Sequence, residues 1–266
     1  MKKITALDIL KMKGEEKNIP VLTAYSFPMA RLIDEAGIPA ILVGDSAGMV
    51  EAGYETTLPV TVDEMIYHTR SVSRAVKRAL VIADMPFLSY QTGMKDTCRN
   101  AGRLVKEAGA EAVKVEGGRR IAKVIKKLID IGIPVMAHVG LTPQSVLNMG
   151  GYRVQGRVKH EAEAILEDAL AVEEAGAFSV VLECVPRLLA KKITGNLKIP
   201  VIGIGAGPHC DGQVLVLNDM LGLTLAEPRP RFVKQYADLK SIVSKAVREY
   251  IRDVQGRKFP SSEHGY

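Results

Sequence analysis

The chain has 266 residues, 47% of them hydrophobic and 25% charged, with a formal net charge of +6. This composition excludes bulk disorder and suits one large domain. The chain has no apolar run near the ~20 residues of a membrane span, and no secretory-type apolar stretch follows the first lysines. Its three cysteines, Cys98, Cys184 and Cys210, are widely spaced and form no CxxC pair. That excludes a disulfide framework or zinc site and fits a reducing cytoplasm.

In chain order, short apolar β-branched runs recur at 19–25, 40–45, 79–86, 112–117, 134–140, 179–185 and 201–207. They are nearly continuous in apolar residues, as strands covered on both faces are in parallel sheets. Between them, segments 27–37, 62–76, 99–109, 119–132 and 160–176 carry apolar residues at helical spacing, and four end in a glycine placed as a C-cap. Strict alternation predicts an α/β fold, either a doubly wound sheet or a closed (β/α)8 barrel. A barrel of about 250 residues matches the length, and the TIM barrel is the expected architecture. The eighth strand is expected near 217–223 and the last helix over 232–254. No linker-like tract interrupts the chain, so residues 1–258 are read as a single barrel catalytic domain and 259–266 as a flexible tail. Two long Gly-rich connections, 46–60 and 141–158, are candidate loops over the substrate.

The positive charge is local. Residues 229–258 hold nine Lys/Arg against Asp238, Glu249 and Asp253, while residues 1–228 are nearly neutral. A solvated outer helix explains this better than a nucleic-acid surface, so no nucleic-acid partner is expected.

Several predicted strands end in a polar residue. Asp45, Asp84, Glu116, His138 and Glu183 close their runs, and Lys114 stands two residues before Glu116 on the same side of its strand. In a barrel these C-terminal ends converge on the face where active sites lie. Carboxylates gathered there repel unless a cation or protons intervene, and an all-oxygen set without cysteine suits Mg2+. For each acid alone, a helix N-cap is the competing explanation, and for His138 it is a satisfied core histidine. A buried Lys114 must pair with a carboxylate or an anionic substrate. GIGAG at 203–207 reads better as a tight turn than as a phosphate loop. Cys184 reads as a small core residue, and His209 with Cys210 has no identifiable catalytic partner.

The string TAYSFPMARLIDEAGIPAILVGDSAGMVEAGYETTLPVTVDEM (23–65) resembles the signature of the 3-methyl-2-oxobutanoate hydroxymethyltransferase (ketopantoate hydroxymethyltransferase) family. The likeness continues through ADMPFLSYQ (83–91), VKVEGG (113–118), AHVGLTPQS (137–145), GGYRVQGR (150–157), LECVP (182–186) and IGIGAGPHCDGQVLVLNDMLGL (202–223). The resemblance implies a barrel of the phosphoenolpyruvate/pyruvate type. It also implies hydroxymethyl transfer from 5,10-methylenetetrahydrofolate to 3-methyl-2-oxobutanoate through a Mg-stabilised enolate. The product is 2-dehydropantoate, in pantothenate and coenzyme A biosynthesis, and the implied assembly is a cytoplasmic homo-oligomer, commonly a decamer.

Carried over by motif, Asp45 and Asp84 match metal ligands and Glu116 the remaining metal-site carboxylate. Asp45, Ser46, Asp84 and Lys114 match keto-acid binders, and Glu183 matches the proton acceptor. His138 is assigned to the substrate side, orienting an oxygen or relaying a proton. The chain departs from common family residues at Ser26, Ala47 and Asn218, which touch neither metal nor base positions. An oxo-acid C–C lyase of the same barrel group is the alternative enzyme, but the cysteine-containing loop of such lyases is missing. A catalytically dead homologue is disfavoured because every matched site residue is intact.

Overall fold

A computed structural model describes residues 2–15, 17–224 and 230–266. The chain forms two units, Met1–Val216 and Leu217–Tyr266.

The first unit opens with helix α1 (Ala6–Gly14), fixed by a capping box in which Thr5 and Asp8 each accept the other's backbone N–H. Strands and helices then alternate: β1 (Ile19–Thr23), α2 (Phe27–Glu35), β2 (Ala40–Val43), short α3 (Ala47–Val50), α4 (Val62–Ala75), β3 (Leu80–Asp84), α5 (Met94–Lys106), β4 (Ala112–Glu116), α6 (Ala122–Asp130), β5 (Val135–Gly140), short α7 (Val146–Met149), α8 (Lys159–Glu174), β6 (Ser179–Glu183), α9 (Arg187–Asn196), β7 (Val201–Ile204) and β8 (Gly212–Leu215). All neighbouring strands run parallel and β8 pairs back to β1, which closes the barrel. The (β/α)8 expectation is therefore met. The continuous apolar runs are explained by burial on both faces: every residue of β3 and of β4 is buried. The helices present one apolar stripe each, as α4 does with Met65, Ile66, Thr69 and Val72.

One end of the barrel is an apolar plug. Ile4, Ala6 and Ile9 pack with strand-start residues such as Ile19, Ala40, Leu80 and Ala112 in a single buried cluster. Helix α1 therefore closes the N-terminal ends of the strands. With that end stoppered, the opposite ends are left to carry chemistry.

The last strand differs from the expectation. β8 is Gly212–Leu215, reached from β7 by the GIGAG turn without an intervening helix, and 217–223 is not a strand. Gly212 hides the strand in the sequence, yet it is required there. A Cβ at this position would sit 2.2 Å from the Ile19 carbonyl oxygen of β1, so only glycine permits the closing pairs of the barrel.

The second unit contains α10 (Leu217–Leu221) and α11 (Leu239–Gln255). Helix α11 starts seven residues later than the expected 232, because the Asp238 carboxylate accepts the Ser241 N–H and sets the N-cap. It exposes Lys245, Arg248 and Arg252, as expected of a basic outer helix, but it also exposes Ile242, Val247, Tyr250 and Val254. Arg229, the first cation of the basic segment, lies outside the described residues.

Candidate active site

Strand register assembles the polar residues. Asp84 of β3 pairs with Lys114 of β4, Glu116 of β4 with His138 of β5, and Gly140 of β5 with Glu183 of β6. Side chains alternate along a strand, so Lys114 and Glu116 share the barrel-interior face. The result is an unbroken row of charges. Lys114 Nζ lies 3.1 Å from Asp84 Oδ1 and 3.6 Å from Glu116 Oε1. His138 Nδ1 lies 3.3 Å from Glu116 Oε1, and Nε2 lies 3.2 Å from Glu183 Oε2. The second of these is a contact of opposite charges rather than an aligned hydrogen bond, since Nε2 has no well-directed acceptor. Asp45, just past β2, joins the row by donating its backbone N–H to Asp84 Oδ2 at 3.0 Å. All six residues singled out from strand ends thus meet in one cluster.

Burial and charge pull these groups in opposite directions. Burial, reinforced by the Asp84 and Glu116 charges, raises the Asp45 carboxyl well above the usual range. Burial also raises Asp84, against the Lys114 ammonium. Glu116 is lowered despite its burial, by Lys114 and His138. Lys114 is raised because Asp84, Glu116 and Asp45 outweigh its desolvation. Burial and Lys114 push His138 down, but Glu116 and Glu183 prevail and raise it to about 9. Lys114 therefore pairs with carboxylates, and His138 stands between Glu116 and Glu183 with Nδ1 also 3.4 Å from Lys114 Nζ.

The N-cap explanation fails for Asp45, since Ser46 is the residue that precedes α3, and its side chain caps nothing. Ser46 Oγ instead lies 2.8 Å from the hydroxyl of buried Tyr25. Glu183 is seated by the adjacent chain. Leu141 N–H donates to the Glu183 carbonyl, and a Cβ on Gly140 (φ +91°) would stand 2.4 Å from that carbonyl oxygen. The two long connections meet at the pocket: the Tyr152 hydroxyl is 3.7 Å from Met49 Sδ, and burial together with the Asp45, Glu183 and Glu116 charges raises the Tyr152 phenol.

Sequence reasoning missed a buried network beneath the carboxylates. Gln144 Nε2 donates to Asp45 Oδ2 at 2.8 Å and to the Met85 carbonyl at 2.9 Å, and its backbone N–H donates to Glu116 Oε2 at 2.9 Å. The Tyr90 hydroxyl donates to Gln144 Oε1 at 2.8 Å and accepts the Glu116 N–H at 3.0 Å. A Gln and a Tyr inside LTPQS and LSYQ carry no sequence signal of burial; only the fold brings them under the site.

Other candidates recede. Cys184 is half-buried rather than in the core, and burial with the Glu183 charge pushes its thiol up to about 12. The GIGAG segment is the tight β7–β8 connection. Ser26 stands at the N-cap of α2 without a side-chain bond, Ala47 opens α3 in a buried position, and Asn218 lies in α10. Among the described residues, no three of His, Cys, Asp or Glu already surround a point that could hold a metal ion. The Lys114 ammonium stands between Asp84 and Glu116, and one oxygen of each of Asp45, Asp84 and Glu116 is committed to an N–H donor.

Residues 3–262 match the family model described as ketopantoate hydroxymethyltransferase. The chain belongs to this family. It is 58% identical over 262 residues to the 3-methyl-2-oxobutanoate hydroxymethyltransferase of Geobacter sulfurreducens, covering 98% of each chain. It is 53% identical to that of a Thermoanaerobacter species, covering 99% of this chain and 96% of the relative. Solved structures share the fold at low identity. A phosphonopyruvate hydrolase in complex with oxalate and Mg++ matches with a TM-score of 0.64 at 14% identity, covering 99% of this chain and 93% of that one. A 2,3-dimethylmalate lyase of the PEP mutase/isocitrate lyase superfamily matches with a TM-score of 0.60 at 17% identity, covering 97% of this chain and 90% of that one. Membership in this family of transferases agrees with the resemblance read from the motifs.

Proposed function

We propose that the strand-end cluster binds 3-methyl-2-oxobutanoate and joins to its C3 the one-carbon unit of 5,10-methylenetetrahydrofolate, giving 2-dehydropantoate for pantothenate and coenzyme A synthesis. The observation that carries this reading is the row Asp84–Lys114–Glu116–His138–Glu183 at the C-terminal ends of β3 to β6, in a chain whose relatives bear that name from end to end.

The reading includes Mg2+, and the donor set fits it. Four carboxyl groups share one lysine and one histidine in a buried pocket, and burial together with the Asp84 and Glu116 charges pushes Asp45 toward its protonated form, which a bound cation would reverse. Mg2+ binds through one or two carboxylates and leaves positions for water and substrate. Asp45 and Asp84 would hold it, and Glu116, whose oxygens already face Lys114, His138 and Gln144, would act through water. When bound, the ion supplies Lewis-acid polarisation of the keto oxygen.

The chain's own residues then have distinct tasks. Lys114 offers a point charge to the substrate oxygens while balancing Asp84 and Glu116. Glu183 is the general base for the C3 proton. Its side chain is 14% exposed against 3–5% for Asp84, Lys114, Glu116 and His138, so it is the carboxylate that faces the open side of the pocket. His138, 3.2 Å from the Glu183 carboxylate, orients it and takes up the charge change when the proton arrives. Water adds to the folate methylene carbon and both of its C–N bonds break, giving formaldehyde and tetrahydrofolate; the C3–H electron pair then forms the bond to the formaldehyde carbon, whose oxygen takes up a proton and becomes the new hydroxyl. Tyr152 and Met49, from the two long connections, form the wall where the folate docks. A homo-oligomer in the cytoplasm is the proposed setting, supported by the three free thiols and by the apolar residues exposed on α11.

Proton exchange tests the assignment. With Mg2+ and 3-methyl-2-oxobutanoate in D2O, the wild type exchanges the C3 proton without folate, and EDTA stops it. Glu183→Gln slows exchange by about 10²–10⁴-fold while substrate binding survives. Equal exchange in both proteins overturns the role of Glu183.

A further inference from the structure

We infer that Gln144 is a positioning residue that holds Asp45 as a one-oxygen donor, and fixes Glu116 beside it, and so selects a small divalent cation. The inference rests on the cation reading above.

Each of the three carboxylates has one oxygen tied by an N–H. Asp84 Oδ2 takes the Asp45 backbone N–H, Asp45 Oδ2 takes the Gln144 side-chain N–H, and Glu116 Oε2 takes the Gln144 backbone N–H. Gln144 supplies two of these three donors from one buried position. Its amide has no freedom to turn. Both N–H bonds are used, on Asp45 and the Met85 carbonyl, and Oε1 receives the Tyr90 hydroxyl at 2.8 Å and, at 3.5 Å, Gln91 Nε2. Tyr90 is itself held in place by accepting the Glu116 backbone N–H at 3.0 Å. A flipped amide would set Oε1 against the Asp45 carboxylate and the Met85 carbonyl, two acceptors, so one orientation is enforced.

Tied in this way, Asp45 presents Oδ1 alone, and Asp84 presents Oδ1, which a cation would share with the Lys114 ammonium 3.1 Å away. One-oxygen ligation in tight octahedral geometry suits Mg2+ or Mn2+, whereas Ca2+ favours larger shells that often include two-oxygen carboxylates. Partners of this kind, which orient the ligands without touching the ion, are typically worth 10–100-fold in metal affinity.

The test is binding of Mn2+ alone to the purified full chain, read as loss of the free-ion EPR signal, with Mg2+ and Ca2+ as competitors. Gln144→Met keeps the length of the side chain and removes its donors. The expected result is a Kd for Mn2+ raised by about 10–100-fold and a narrowed gap between the competing strengths of Mg2+ and Ca2+, in a protein with a native circular dichroism spectrum. Tyr90→Phe, which removes the shorter of the two donors to Gln144 Oε1 but leaves the Asp45 contact, shifts the Kd in the same direction by less, and it carries the test if Gln144→Met does not fold. A Kd within twofold of the wild type in the folded variants, or an unchanged Mg2+/Ca2+ gap, overturns the inference. Asp84→Ala locates the ion. If the wild type binds no Mn2+, or Asp84→Ala binds it as well as the wild type, the cation reading itself falls and this inference falls with it.

Discussion

A buried aspartate stands at each end of strand β3, and the two are held in opposite ways. Near its start, Asp34 reaches from α2 and accepts the backbone N–H groups of Lys77, Arg78 and Ala79 at 2.7–3.1 Å. At its end, Asp84 faces the Lys114 ammonium at 3.1 Å and the Asp45 N–H. Burial would raise both. Fixed dipoles win at Asp34 and lower it, whereas burial wins at Asp84 and raises it. Backbone donors cannot move, so Asp34 is a permanent staple of the plugged end. Side-chain cations can be shared with a substrate or an added ion, so the open end stays electrostatically unsettled, as an active site must.

The harshest way to break this contrast is to remove the movable cation. Lys114→Met leaves Asp84 and Glu116 facing each other without compensation in a buried pocket. We expect a stability loss of about 3–5 kcal/mol in urea titration, and turnover reduced by about 10²–10³-fold or more. A variant as stable as the wild type would show that the open end is held by fixed dipoles after all, and the contrast with Asp34 would vanish.

That contrast also marks what the sequence could reveal. Strands buried on both faces write continuous apolar runs, so seven strands and the barrel were legible, and a charged residue closing such a run stood out at Asp45, Asp84, Glu116 and Glu183. β8 was not legible, because Gly212, required by close packing against β1, and the exposed Gln213 interrupt its apolar character. Helix α1 was missed as an element because its plug of Ile4, Ala6 and Ile9 is too short to show a period. Gln144 and Asp34 escaped for a shared reason. Their importance lies in which N–H groups they meet, and those partners are 99 residues away for Asp45 and 43–45 away for the Lys77–Ala79 turn.

A smaller effect is expected at the plugged end. Asp34→Asn turns an amide N–H toward one of three backbone donors, which costs about 1–3 kcal/mol. The pH dependence separates this from ordinary damage. Because Asp34 lies below its ordinary value of 3.8 in the folded chain, the unfolded chain binds its proton first as pH falls. Asp34 therefore contributes its stability in full above about pH 4 and loses it as the pH drops through the folded value. Thermal melts between about pH 2.5 and 6 should show a shallower acid slope for Asp34→Asn than for the wild type. Equal slopes would mean that Asp34 is not the staple its geometry implies.

The smallest effect concerns Ser26, one of the three positions at which the sequence departs from the family resemblance. Ser26 occupies the N-cap of α2 with no side-chain bond to the helix, and the first turn has no acid. Ser26→Asp places a negative charge against the unpaired N–H groups at the positive end of the helix dipole, worth about 0.3–1 kcal/mol at low ionic strength. For a chain of this size the melting temperature should rise by about 1–3 °C, and the gain should shrink in molar salt, where the screening length falls to about 3 Å. This variant sharpens the comparison from the other side. A fixed dipole should accept a new carboxylate at Ser26 as it accepts Asp34. A loss of stability on adding that charge would mean that the fixed dipoles of the scaffold do not favour carboxylates as Asp34 indicates.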